Sequence, residues 1–263
     1  MYERKEHGTR RHHAWPTMAA SLCLLLSAAC MPRETERQPR LTLFIGIDVS
    51  GSFQNTGHFD DALRFTAHYI YAHMNELGGL DEPNVLFVGS IGGERPGQPK
   101  SFHPIHDFKG RSVDEITDDL RGWFRSDDAF TDFNPFFERV AAVVKQRNLM
   151  LKPISIVVIS DGVPDITASG ANGGDDRYKK IDLDQLEYLS RNVTVRLLYA
   201  NPQVAMHWEQ DIPRRRVRMW TVDGAVMEGW RNQIVPGASL ENQEALWIWI
   251  AENVDFRVRR RLL

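Results

Sequence analysis

A short run of oxygen-bearing side chains follows the first strongly apolar stretch of the sequence. Asp48, Ser50 and Ser52 occupy alternate positions directly after the apolar residues 41–47. One carboxylate and two hydroxyls at this spacing are hard oxygen ligands, which suit Mg²⁺, Mn²⁺ or Ca²⁺ and not a soft metal. The same residue types are typical of a helix N-cap, so the run by itself leaves metal binding and capping both open.

Two further oxygen-bearing positions lie later in the chain. Thr131 precedes an apolar helical pattern, and Asp161 follows the β-branched run 154–159. Asp48 and Asp161 are therefore both expected at the carboxyl ends of buried strands, which is where ligands bind in open parallel sheets. The sequence predicts that these positions belong to one site.

The elements that must position these residues alternate between strand and helix. Strands are predicted at 41–47, 84–91, 102–108, 154–159, 193–199 and 217–222, and helices at 59–77, 112–124, 133–149, 182–190, 204–211 and 240–254. In the last segment, residues 247–250 are apolar all round, so a strand is the alternative there. The pattern predicts an α/β fold: a doubly wound, mostly parallel central sheet with helices on both faces.

In order and rough spacing, these oxygen-bearing positions resemble the metal-ion-dependent adhesion site of von Willebrand factor type A (vWA) domains. The resemblance covers about residues 41–252. It implies a three-layer sandwich holding Mg²⁺, or alternatively Mn²⁺ or Ca²⁺, at the sheet edge. By match to the family, the ligands would be Asp48, Ser50, Ser52, Thr131 and Asp161. An Asp or Glu of a partner protein would then complete the octahedral coordination.

Two features leave the details of this site open. Thr131 alone is more often a helix cap, and Ser126 is the alternative hydroxyl ligand. Several acids beside the expected ligands would weaken the attraction of the ion for an acidic partner, or would themselves bind Ca²⁺. These acids are Asp132, Asp165, Asp175 and Asp176.

The first 29 residues have the layout of a secretory signal peptide, with a basic region before an apolar run that is too short to span a bilayer. The end of that run resembles a bacterial lipoprotein signal in which Cys30 is lipidated, although Ser27 stands where that family usually has Leu. Ordinary cleavage, which would give a secreted or periplasmic protein, is the alternative. The chain is thus predicted to comprise a signal (1–29), a lipid-anchored tether (30–40), the vWA-like domain (41–256) and a basic tail (257–263). The resemblance implies a location in the cell envelope, on the periplasmic face.

Composition narrows the function classes further. The net charge of the chain is −3, and the leader contributes +2, so the remainder is close to −5, which argues against a nucleic-acid-binding body. Both cysteines lie at or before position 30, so a downstream thiolate metal site is excluded. The segment His103-x-x-His106-Asp107 is predicted to be a polar surface turn and not a zinc site.

Three functions are compatible with these residues. The leading prediction is a non-enzymatic module that binds a partner protein through the metal ion. A structural or assembly component of a cell-envelope complex is the second. The third is a metal-dependent hydrolase, for which only Asp132 and His58 offer a nearby general base.

Overall fold

The computed structural model describes residues 1, 41–92, 102–124, 130–165 and 174–255. The chain divides into two compact units, Met1–Gln38 and Pro39–Leu263, and all described residues except Met1 lie in the second. The predicted lipidation site Cys30, the alternative ligand Ser126 and the basic tail 257–263 lie outside the described residues. Within the described ranges, every helix is too short or too polar to cross a lipid bilayer.

A six-stranded sheet forms the centre of the fold. Its strands are β1 (Leu41–Asp48), β2 (Pro83–Ile91), β3 (Phe102–Pro104), β4 (Ile154–Ile159), β5 (Val193–Ala200) and β6 (Arg218–Asp223). They lie in the order β3-β2-β1-β4-β5-β6, and every neighbouring pair is parallel except the antiparallel edge pair β2–β3. The predicted mostly parallel sheet is confirmed.

Seven α-helices accompany the sheet in the described residues: α1 (Gly51–Asn55), α2 (Phe59–Met74), α3 (Val113–Trp123), α4 (Asn134–Gln146), α5 (Pro202–Gln210), α6 (Gly224–Met227) and α7 (Glu244–Asn253). Short 3₁₀ segments occupy Leu77–Gly79, Ile105–Asp107, Gly174–Lys180, Glu228–Gln233 and Leu240–Asn242. The start of α3 is a capping box, because Ser112 Oγ accepts from the Glu115 N–H and the Glu115 carboxylate accepts from the Ser112 N–H.

Alternation along the strands produces two apolar layers. Leu43, Ile45 and Ile47 of β1 pack in the layer that contains α2, α3 and α7, whereas Phe44 packs in the layer that contains α4 and α5. Because successive side chains of a strand point to opposite faces, helices cover both faces of the sheet. This is the predicted three-layer arrangement.

The strand order reverses between β1 and β4. From β1 the chain moves outward to β2 and β3, then returns to β4 on the other side and moves outward again to β5 and β6. Such a reversal leaves a crevice at the carboxyl ends of the two central strands. Asp48 is the last residue of β1, and Asp161 follows the end of β4 by two positions.

Three of the predicted elements differ from the structure. The strand predicted at 102–108 ends at Pro104, which has no N–H to continue a ladder, and Ile105–Asp107 form a 3₁₀ turn. Residues 182–190, predicted as a helix, form a series of turns. Their apolar residues Leu183, Leu186 and Leu189 recur at every third position, and the backbone bonds run from each residue to the third one before it, which suits a 3₁₀-type turn and not an α-helix. The segment 240–254 begins with a 3₁₀ turn before α7, and the strand alternative for it is wrong.

Candidate metal centre

The loop after β1 serves as a helix cap and also brings its oxygen atoms together. Asp48 is fully buried, and its Oδ1 accepts from the Ser50 N–H at 2.9 Å. Ser50 Oγ caps α1 by accepting from the Phe53 N–H at 3.4 Å, and it lies 3.0 Å from Ser52 Oγ. The capping interpretation is confirmed, and the capping hydroxyl also belongs to an oxygen cluster, while metal binding stays a prediction.

The loop after β4 joins this cluster through side chains. Ser160 Oγ donates to Asp48 Oδ2 at 2.5 Å and accepts from the Gly162 N–H at 2.8 Å. The Asp161 carboxylate lies close enough to the Ser52 and Ser160 hydroxyls for both to lower its pKa. The loops after β1 and β4, more than 100 positions apart in the sequence, are thus joined through Asp48 and Ser160, and Asp161 lies beside this cluster.

Ser160 is a site residue that the sequence analysis did not select. It is fully buried, and its hydroxyl bridges the ends of β1 and β4. The pairing of Ile47 with Ile159 in neighbouring strands sets Ser160 beside Asp48. The sequence shows a serine directly after a wholly apolar strand, but its partner Asp48 lies 112 positions away in the chain.

Thr131 reaches the site through its backbone. Its carbonyl oxygen accepts from the Asp165 N–H at 2.9 Å, which fastens the segment before α4 to the loop after β4, and the residue is 1% exposed. Phe133, two residues after Thr131, packs edge-on against Trp208, with 5.0 Å between the ring centres. The structure therefore places Thr131 next to the Asp161 loop, while its role as a ligand remains a prediction.

Gly162 fixes the path of the loop after Asp161. Its φ of +76° lies in the left-handed region, and a Cβ at this position would lie 2.6 Å from Leu197 Cδ2 and 2.8 Å from Val204 Cγ1. Its carbonyl oxygen accepts from Trp208 Nε1 at 2.7 Å. Only glycine meets both requirements, so the direction in which Asp161 leaves β4 depends on this residue.

Burial disfavours the charged forms of both acids. Burial raises the pKa of Asp48 to about 7, and the negative charge of nearby Asp161 raises it further. Hydrogen bonds from Ser160 and Ser50 oppose this rise. Burial also raises the pKa of Asp161, against hydrogen bonds that include one from Ser52 and against the positive charge of Arg177. Two carboxylates held close together in a desolvated crevice are stabilised by a cation between them.

The donor set fits a hard divalent cation. Among the described residues there is no group of three or more His, Cys, Asp or Glu suited to a metal, so an ion here would need other oxygen donors, such as the serine hydroxyls. Two carboxylates and converging serine hydroxyls are oxygen donors of the kind that Mg²⁺ and Ca²⁺ bind, and they lack the soft ligands that a structural zinc site uses.

Other residues considered at the sequence level have separate contacts. Asp132 Oδ1 accepts from the Asn134 N–H at 3.0 Å, and Asp176 pairs with Lys179 at 2.8 Å. The His58 ring packs on Tyr199 at 5.8 Å. His103 stacks on Trp123 at 3.6 Å, which accounts for this histidine without a metal.

Comparison with known proteins gives a likeness of fold at low identity. No family model matches the chain, and no curated protein matches it. Among solved structures, the VWA domain of SpRpn10 is 13% identical, with 77% of this chain and 92% of that one covered and a TM-score of 0.43. Manganese-loaded TRAP protein of Plasmodium vivax is 14% identical, with 71% and 69% covered and a TM-score of 0.43.

A third similar structure is proximal thread matrix protein 1 from the mussel byssus with a zinc-occupied MIDAS motif. It is 12% identical, with 72% of this chain and 44% of that one covered and a TM-score of 0.39. In another crystal form of the same byssus protein, this chain spans 47% of its length. At such identities and TM-scores the likeness assigns neither a family nor a function to the chain.

Proposed function

We propose that the chain is a divalent-metal-dependent protein-binding module of the vWA type. The ion is Mg²⁺, or alternatively Mn²⁺ or Ca²⁺, and its ligands are Asp48, Ser50, Ser52, Thr131 and Asp161. The observation that carries the proposal is the oxygen cluster at the crevice between β1 and β4. Ser160 and Ser50 contact Asp48, and Ser50 contacts Ser52. Asp161 lies close enough to Ser52 for that hydroxyl to lower its pKa.

The charge of the site favours an acidic partner. The two carboxylates balance the charge of a divalent ion, and the hydroxyls add none, so the ion keeps its attraction for an outside carboxylate. Arg177 lies close enough to lower the pKa of Asp161, and its Nε is buried without a hydrogen-bond partner among the described residues. The positive charge of Arg177 near the site would further favour a partner Asp or Glu.

Ser160 acts as a positioning residue. Its hydroxyl holds Asp48 Oδ2 and is itself held by the Gly162 N–H, so both site loops are set by one side chain. Orientation of a ligating carboxylate by a second hydrogen-bonded group is common in metal sites and increases affinity.

The contacts favour binding over catalysis. The two candidate bases have structural contacts: Asp132 receives a backbone N–H in the turn before α4, and His58 packs on Tyr199. A hydrolase needs a base or nucleophile directed at the ion. We therefore place capture of a partner first and metal-dependent hydrolysis last, with a structural role in a cell-envelope assembly between them.

The proposal extends to location. With Cys30 lipidated after removal of the leader, the domain would be held on the periplasmic face of the cell envelope by the tether 30–40. Labelling of the protein with a radioactive or clickable fatty acid in a bacterial host, lost in Cys30→Ser, tests this part separately.

Titration calorimetry with Mg²⁺ and Mn²⁺ tests the metal site. We expect Asp161→Asn to weaken binding about 100-fold and Ser50→Ala about 10-fold, in the range found for lost ligands and their supporting groups. The exposed acid Asp184 supplies the matched control, Asp184→Asn, which should bind as the wild type does. Equal affinity of the wild type and Asp161→Asn would refute the site.

Capture from cell envelopes tests the binding function. The partner should be retained in Mg²⁺, released by chelator and absent with Asp161→Asn. Chelation that lowers the melting temperature, without any partner whose capture depends on metal, would favour the structural role instead. Turnover of a generic phosphoester that is lost in Asp48→Ala would favour the hydrolase.

A further inference from the structure

Apolar side chains are exposed at the opposite edge of the sheet, where β4 and β5 begin. Leu151 is 85% exposed, Tyr188 73% and Met150 47%. The two loops that carry them are joined, since the Leu151 N–H donates to the Leu189 carbonyl at 3.1 Å. Large apolar side chains grouped on a surface in this way are unusual for a part of a protein that faces only water.

The backbone holds one of these side chains outward. Leu151 has φ +74°, in the left-handed region that side chains with a Cβ rarely adopt. A residue in that conformation whose side chain is also exposed receives no compensation from packing within the domain. Outliers of this kind concentrate at functional surfaces.

Cationic side chains surround the apolar group. Lys152 follows Leu151 in the same loop, and Arg191 lies in the adjoining loop. Residues on either side of Arg191 bond to the first loop, since the Leu189 carbonyl accepts from the Leu151 N–H and the Asn192 carbonyl from the Ile154 N–H. The Arg216 guanidinium lies over the Tyr188 ring, 5.9 Å from its centre. We call Met150, Leu151, Lys152, Tyr188, Arg191 and Arg216 the amino-edge patch.

The acids nearest to this patch are accounted for. The Glu187 carboxylate is buried and accepts from the backbone N–H groups of Arg215 and Arg216 at 2.6 and 2.5 Å. The Asp184 N–H donates to the Asp182 carboxylate, and the Asp182 N–H donates to the Asn134 side chain at the start of α4. Asp184 therefore lies at the end of segment 182–190 that is farther from Tyr188. The charged side chains that belong to the patch, Lys152, Arg191 and Arg216, are all cationic.

The position of β1 indicates what covers the patch. The chain enters β1 at this same edge, where the Thr42 N–H donates to the Pro153 carbonyl at 3.0 Å, beside Lys152. Cys30 is 11 residues before Leu41, which at full extension is a reach of about 40 Å. A lipid on Cys30 would keep the amino edge of the sheet within about 40 Å of the bilayer surface.

We infer that the amino-edge patch docks on an anionic lipid surface, with Leu151, Met150 and Tyr188 entering the headgroup region and Lys152, Arg191 and Arg216 facing lipid phosphates. The inference uses the proposed anchor to select the occupant, and it is independent of the metal site. Apolar side chains combined with cations are what binding to an anionic membrane surface requires.

Sedimentation of the full chain with vesicles tests the inference. Vesicles of phosphatidylglycerol and phosphatidylcholine are compared with vesicles of phosphatidylcholine alone, for the wild type, Leu151→Ser/Tyr188→Ser and Arg191→Glu/Arg216→Glu. Every variant carries the same leader, so its contribution cancels. We expect each double variant to lower partitioning onto anionic vesicles about 10-fold. At high salt the charge variant should partition as the wild type does, because salt screens the attraction that the variant has lost.

A matched control places the same substitutions elsewhere. Ile248 is 42% exposed on α7 and Arg139 is exposed on α4, so Ile248→Ser/Arg139→Glu should stay within about twofold of the wild type because only the patch contacts lipid. Near-ultraviolet circular dichroism verifies the fold of each variant. Equal partitioning of the wild type and both patch variants, or an equal loss in the control, would overturn the inference.

Two further measurements separate this inference from the proposed function and from self-association. Patch variants should keep wild-type Mg²⁺ affinity, and Asp161→Asn should keep wild-type vesicle binding, so failure of one proposal leaves the other intact. A wild-type dimer in sedimentation velocity that both patch variants dissociate, without any change in vesicle binding, would identify a second copy as the occupant and overturn the lipid assignment.

Discussion

The two edges of the central sheet handle charge in opposite ways. At the carboxyl edge, Asp48 and Asp161 lie close together in a desolvated crevice, and burial raises the pKa of each. Towards the amino edge, the buried Arg196 and Asp255 lie 3.5 Å apart and compensate each other inside the domain. The difference is consistent with our proposal that a cation completes the first edge, whereas the buried charges of the second compensate each other.

The internal pair is further tied by neutral partners. Arg196 Nη1 donates to Ser155 Oγ at 2.7 Å, and the Tyr69 hydroxyl donates to Asp255 Oδ1 at 3.2 Å. Asp255 follows α7 and Arg196 is in β5, so the pair fastens the end of the described domain to the sheet. Variants at each edge should therefore separate stability from metal binding.

The largest effect on stability is expected from Asp255→Ala, which leaves the buried Arg196 uncompensated. We expect the free energy of unfolding to fall by about 3 kcal/mol, measured by urea denaturation, because a single buried charge keeps its desolvation cost without its partner. The double variant Arg196→Met/Asp255→Leu should recover much of that loss. Unchanged Mg²⁺ affinity in both is part of the prediction, and a loss of affinity would contradict the separation of the two edges.

A smaller effect is expected at the carboxyl edge from Gly162→Ala. The added Cβ would meet Leu197 and Val204 in a backbone conformation with φ +76°, so we expect a loss of about 2 to 3 kcal/mol, together with weaker Mg²⁺ binding. Gly57 is the matched control, since it has φ +77° with nothing within 4 Å of its Cβ position. Gly57→Ala should cost only about 1 kcal/mol, and equal losses in the two variants would show that backbone strain alone accounts for the effect.

The smallest effect concerns pH and His73, which is buried near the amino-edge pair. Its Nδ1 lies 2.8 Å from the Asp81 carbonyl, and its Nε2 has no partner among the described residues. Burial lowers the pKa of His73 from 6.5, although Asp255 and Asp81 oppose this and Arg196 adds to it. The unfolded state therefore binds the proton more tightly, so the stability that neutral His73 contributes is present above pH 6.5 and is lost as pH falls through its folded pKa.

Urea denaturation from pH 7.5 to pH 5 checks this sign. Relative to His73→Gln, the wild type should lose about 1 kcal/mol on acidification. Asp48 and Asp161, whose pKa values are raised, act in the opposite direction, but they are present in both proteins and cancel in the difference. If the free energies of unfolding of the two proteins changed in parallel with pH, burial would not lower the pKa of His73.

The sequence predicted the regular elements well because their signals are local. The apolar runs of β1 and β4 and the capping box of α3 follow from neighbouring residues alone. The prediction of a helix at 182–190 was wrong because contacts with residues far away in the sequence determine the conformation of this segment. Glu187 accepts backbone N–H groups of Arg215 and Arg216, and leucines at every third position pack into the layer of α4 and α5.

The candidate site was predictable only in part for the same reason. Asp48, Ser50 and Ser52 are close in sequence, and Asp161 follows a strand whose end could be read from its apolar run. Ser160 could not be selected, since its partner Asp48 lies 112 positions away and becomes its neighbour only through the pairing of β1 with β4. Long-range pairing of this kind is a property of the folded sheet and not of any sequence window.

Strand β1 connects the two edges directly, and this has a mechanical consequence. Its first residue adjoins the tether and its last is Asp48, so tension between an anchored N-terminus and a partner held at the ion would run along this one strand, about 26 Å long. Because β1 is hydrogen-bonded to β2 on one side and β4 on the other, such a pull would load both ladders in shear, with many bonds resisting together. One of the two central strands of the sheet would thus be the force-bearing element of the domain.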